Sequence, residues 1–169
     1  MKNSLSDRPL PPWLARLLVR FPSLQRHPHP ALAHFPIVFF LSTTGFSLLY
    51  LLSGGRSFEH TAFHCLAGGV VSTPAAILTG LFTLRLNYPG EPGRDIILEE
   101  RLSWLLLAVA VAALVWRLVN PAVLEDLAGV NIVYLLLVLS LTPLVTVISF
   151  FGGMLTFPLE EDAEEGQEQ

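Results

Sequence analysis

All five histidines of this 169-residue chain lie before residue 65, in two groups. His27, His29 and His34 form the first, and His60 and His64 the second. A neutral imidazole is a ligand for haem iron or for a divalent metal ion. His60 and His64 are four residues apart and share one side of a helix if that stretch is helical. Continuing in steps of four gives Gly68, Ser72, Ala76 and Gly80. A stripe of small residues lets another backbone, or a flat cofactor, approach closely. Its structural reading is tight helix packing, and the two histidines at its head add a cofactor reading. Two imidazoles on one helical turn cannot be the opposite axial ligands of one haem, which must approach from both faces. They could share one Zn or Cu ion with the help of further ligands.

The elements that hold these residues follow from composition. The chain is 52% hydrophobic and 14% charged, with a mean hydropathy of +0.57, whereas soluble domains carry about 25% charged residues. Lipid is therefore the expected solvent for much of the surface. A bilayer core of about 30 Å needs roughly 20 apolar helical residues. Four stretches meet this, at about 31–52, 62–84, 102–119 and 131–157. Arg101 and Arg117 bound the third, with long stems that can snorkel to the headgroups. Pro74 and Pro143 fall inside the second and fourth, where kinks are expected. Short connections make neighbouring helices antiparallel. The fold class expected is all-α, an integral membrane four-helix bundle over residues 30–158.

Basic residues set the direction. Lys2, Arg8, Arg16, Arg20, Arg26, Arg85, Arg94 and Arg101 fall on one side, against Arg56 and Arg117 on the other. The positive-inside rule then puts both termini in the cytoplasm. Within the N-terminal segment 1–29, Trp13, Leu14, Leu17, Leu18 and Phe21 share a helical face beside Arg16 and Arg20. This reads as a short amphipathic helix in the cytoplasmic interface, or as a segment that docks on a partner subunit. The tail 159–169 carries Glu160, Glu161, Asp162, Glu164, Glu165 and Glu168, too much charge to pack, and reads as a disordered solvated end. The charge segregation follows topology and does not read as a nucleic-acid signature. A cleavable secretory signal is not expected, because the proline-broken first thirty residues lack the early apolar run it needs. The single Cys65 excludes an intrachain disulfide.

In that topology His34 and His64 lie at opposite ends of antiparallel helices, roughly 20 Å apart along the membrane normal. They cannot share a haem. Near His64 the other side offers only Asn120, Asn131 and Tyr134. Near His34 the partners are Met154 and Glu99 or Glu100. A b-type haem would need Met or water as its second ligand, or a histidine from a partner chain, so the candidate cofactor-binding residues are His64, His34, His60 and Met154. Pro30 and Pro36 hold His34 in a stiff helix entrance. A polar cluster of His29, His34, Glu99, Glu100 and Arg101 is a candidate metal site, proton entrance or quinone headgroup site, or ordinary headgroup-level polarity.

The segment His29-Pro30-Ala31-Leu32-Ala33-His34-Phe35-Pro36-Ile37 resembles the opening of a bacterial membrane family known as domain of unknown function 2231. Gly80 is similar to that family's late second-helix glycine, and Gly152-Gly153 to its fourth-helix glycine pair. The resemblance covers about residues 28–158. It implies four helices, a bacterial inner-membrane location and no agreed activity. Relatives fused to Rieske iron–sulfur or cytochrome c modules imply an electron-transfer setting. The chain departs from the pattern at two places. Leu81, Phe82 and Thr83 stand where relatives often carry an acidic residue, and Glu99, Glu100 or Arg101 where they often carry a histidine opening helix 3.

No phosphate loop, Cys-pair metal motif, nucleophile elbow or catalytic-triad spacing is present, so a self-contained enzyme is not expected. The reading is a small membrane subunit of a redox assembly, binding b-type haem or contributing to a quinone site. It would work among lipids and other membrane subunits or copies of itself. The alternatives are a structural subunit that docks partner helices, or a small transporter or metal-handling protein.

Overall fold

The computed structural model describes Arg20 and residues 28–87 and 93–156, with the side chains of 28–30, 85–87 and 154–156 outside that description. The expected interfacial helix and the acidic tail lie outside the described residues, apart from Arg20. Four helices run through the rest: α1 (Pro28–Ser53), α2 (Arg56–Asn87), α3 (Arg94–Val119) and α4 (Asn131–Thr156). Each contains a stretch long and apolar enough to cross a membrane: Ala31–Ser53, Arg56–Leu84, Arg94–Val119 and Asn131–Gly153. The described residues include no strand. The all-helical, four-span reading therefore stands.

Two helices begin earlier than their uncharged stretches. Helix α2 starts at Arg56 and α3 at Arg94, six and eight residues ahead of the apolar boundaries expected at 62 and 102. A helix end protrudes beyond hydrocarbon and tolerates polar residues there, so lack of charge marks the membrane core and not the helix. Helices α1, α2 and α4 run unbroken through Pro36, Pro74 and Pro143.

One spacing organises the interior. Helix α1 buries Pro36, Phe40, Thr43 and Ser47; α2 buries Ala62, Leu66, Gly69, Thr73 and Ala76. Helix α3 buries Leu106, Ala110, Ala113 and Arg117, and α4 buries Tyr134, Val138, Leu141 and Val145. Steps of four and three residues recur in every helix, the 3.5-residue repeat of left-handed bundle packing. Successive helices touch, and α1 closes the ring against α4.

The tightest approach joins α1 and α2. Phe39 and Phe40 lay their rings on Gly68 and Gly69. A methyl group at Gly68 would stand 3.0 Å from the Phe39 ring, and one at Gly69 would overlap the Phe40 ring. The turn between these helices closes at Gly54, with φ 69°, whose N–H donates to the Tyr50 carbonyl at 2.7 Å. Left-handed backbone at a helix end is where glycine avoids the Cβ penalty. The Thr44 hydroxyl crosses to α4 and donates to the Val138 carbonyl at 3.0 Å, a buried bond.

Candidate functional site

The turns between α1 and α2 and between α3 and α4 gather at one end of the bundle, here the turn end. The histidine pair sits there, on α2. His60 and His64 are both exposed, because residues 60 and 64 fall between the buried positions of the 3.5-residue repeat. The His64 ring is fixed: Nδ1 lies 2.7 Å from the His60 carbonyl oxygen, one turn back along the helix. A carbonyl only accepts, so Nδ1 carries a proton, and in the neutral ring Nε2 is then the acceptor. Phe63 meets the His64 ring edge-on at 5.5 Å.

The line His60, His64, Gly68, Ser72, Ala76, Gly80 is not one face. A step of four residues turns the helix about 400°, so the line drifts about 40° at each step. It starts exposed at the histidines and reaches the core at Ala76, 6% exposed. Of its small residues, Gly68 packs against α1, under the Phe39 ring. His64 lies about 40° and His60 about 80° from Gly68 around the helix.

The turn end also holds a charge pair that sequence reasoning missed. Arg117, expected to reach the headgroups, is 8% exposed. Its Nε donates to Glu59 Oε1 at 2.6 Å, and its Nη2 meets the same oxygen. The guanidinium lies 5.5 Å from the Phe63 ring centroid, a cation–π contact. Buried Tyr134 is within electrostatic reach of both charges. The signal was available: Glu59 opens α2 and Arg117 closes α3, so antiparallel helices bring opposite charges to the same end. Around this pair, Asn120 Nδ2 donates to Asn131 Oδ1 at 3.2 Å and Asn131 Nδ2 to the Asp126 carbonyl at 2.8 Å. Arg56 bridges to Glu125 at 3.1 Å on the rim.

The other end carries the remaining candidates. His34 is exposed on α1, two residues before buried Pro36. The register set by Phe39 on Gly68 and Phe40 on Gly69 puts His34 level with residues 73–75 of α2. His34 is thus about ten residues, or roughly 15 Å, along the axis from His64, and the two remain too far apart for one haem. Glu99 lies against α4, where a methyl group at Gly152 would stand 3.3 Å from its Oε1. The fourth-helix glycine and the polar start of the third helix therefore meet. Glu100 is half-buried and Arg101 exposed. Among the described residues no group of three His, Cys, Asp or Glu is placed to hold a metal ion. The backbones of His29 and Met154 belong to α1 and α4, and their side chains lie outside the described residues.

Four helices fit to cross a bilayer, closed into a ring, define a multi-pass membrane protein. The chain belongs to the family described as predicted membrane protein (DUF2231), which it matches over residues 26–160. No curated protein and no solved structure matches it.

Proposed function

We propose that the chain is a small subunit of a bacterial inner-membrane electron-transfer assembly, with both termini cytoplasmic, that presents surface imidazoles to a redox group shared with a partner chain. The observation that carries this reading is the fixed His64 ring. Its Nδ1–H is anchored on the His60 carbonyl at 2.7 Å, as the second nitrogen of a ligating histidine commonly is. Its other nitrogen belongs to an exposed side chain. Among the described residues no second imidazole shares its level except His60 on the same face, and in this reading water or another chain supplies the second ligand. A b-type haem or a quinone headgroup meets that description, and His34 offers a second contact at the opposite end.

The test is the visible spectrum of protein purified in mild detergent, oxidised and dithionite-reduced. A Soret band that His64→Ala removes is the expected result. A colourless preparation that is free of metal and of extractable quinone, and still carries its partners, overturns the redox role and leaves a structural subunit. One observation favours that second reading: Trp104 and Trp116 bracket a shallow apolar groove along α3, floored by Ala108, Val111, Ala112 and Val115, which another helix could fill.

A further inference from the structure

We propose that His60 and His64 together form a binding site for one divalent transition-metal ion at the turn end of α2. This rests on the reading of His64 as a ligand and goes beyond it, since the ion would stand where that reading puts a haem or a quinone. One turn of helix puts side chains four apart about 5–6 Å from each other at Cβ, a span that two imidazoles close around a single ion, as in helical His-x-x-x-His metal sites. The same spacing forbids a haem between them, because both nitrogens approach from one side. The His64 tautomer suits coordination: with Nδ1–H on the His60 carbonyl, Nε2 keeps the lone pair a metal needs. Both residues are exposed, so closing on an ion displaces nothing from the core.

The charges around the pair allow a cation to stay. Arg56, one turn before His60, is held by Glu125 at 3.1 Å. Arg117 is neutralised by Glu59 on the buried side. Neither positive charge is left uncompensated beside the imidazoles. Two neutral nitrogen ligands select for the imidazole-preferring end of the first-row series, where Cu(II) binds more tightly than Zn(II). Water or a partner's side chain completes the coordination.

The experiment is titration of the full chain, in dodecyl maltoside micelles, with copper(II) chloride and separately with zinc chloride, followed by calorimetry and, for copper, by paramagnetic resonance. One ion per chain is expected, with two nitrogen ligands in the copper spectrum and tighter binding of copper. His60→Ala and His64→Ala each abolish the site, and the triple variant His27→Ala, His29→Ala, His34→Ala keeps it. A variant carrying His64→Ala with Cys65→His has as many imidazoles, but one is turned by about 100°, and it does not bind. Binding that survives loss of both His60 and His64, or that disappears with the triple variant, overturns the site. A haem spectrum without copper or zinc binding also overturns it, while leaving the electron-transfer reading intact. Metal binding at the pair in a protein that purifies with no redox partner supports the ion site and counts against that reading.

Discussion

The two ends of α3 carry the same residue type and treat it in opposite ways. Arg101 is exposed; Arg117, sixteen positions further on, is buried among α2 and α4. Composition and hydropathy do not separate them, since each bounds the same apolar run. What separates them is the helical phase and a partner. Arg117 falls on the buried repeat with Leu106, Ala110 and Ala113, and Glu59 waits at its depth. An unpaired charge inside a membrane bundle is expensive, and pairing is the usual remedy. The lesson is that an arginine closing a membrane helix goes inside where the helical phase points it inward and an opposite charge lies level with it on a neighbour, as Glu59 does for Arg117.

Substitutions can break or sharpen this contrast. The largest effect is expected from Glu59→Leu, which strands the Arg117 charge and costs about 3–5 kcal/mol, read as lowered stability in graded denaturing detergent. Adding Arg117→Met should recover most of that loss, because no charge then remains to be buried. If Glu59→Leu left stability unchanged, Arg117 would have to leave its buried site. Asn131→Ala removes the side chain that joins Asn120 to the Asp126 carbonyl and should cost about 1 kcal/mol in the same assay. Arg56→Ala breaks only the rim bridge to Glu125, where an exposed pair contributes about 0.5 kcal/mol, and the effect should fade in high salt. Arg101→Ala should shift stability by less than about 0.5 kcal/mol; a loss as large as that of Glu59→Leu would erase the distinction between the two ends.

Much of the fold was legible because the bilayer imposes it. The four runs at 31–52, 62–84, 102–119 and 131–157 each correspond to an observed helix. The starts of α2 and α3 were not legible, because Arg56, Glu59, Arg94 and Asp95 look like loop residues to a rule that counts charges. The core face was misread on α2 for a different reason. Steps of four follow one side for two turns only, whereas the interior keeps the mean step of 3.5 seen in Ala62, Leu66, Gly69, Thr73 and Ala76. Reading that repeat from the sequence would have set the histidines apart from the glycines and placed Arg117 inside. The separation of His34 from His64 was foreseen, at roughly 20 Å against roughly 15 Å, since it depends only on antiparallel order. The bond from His64 to the His60 carbonyl is a rotamer choice that spacing permits and does not dictate.

The burial of Arg117 has a consequence for how this chain tolerates changes of length. Removing one residue between Ala113 and Arg117 would swing the guanidinium by about 100°, out of reach of Glu59 and into hydrocarbon. The same deletion within the ten-residue loop of Pro121 to Val130 leaves it where it is. Evolutionary insertions and deletions in relatives that keep both charges should therefore collect in connecting segments and spare the last turns of α3.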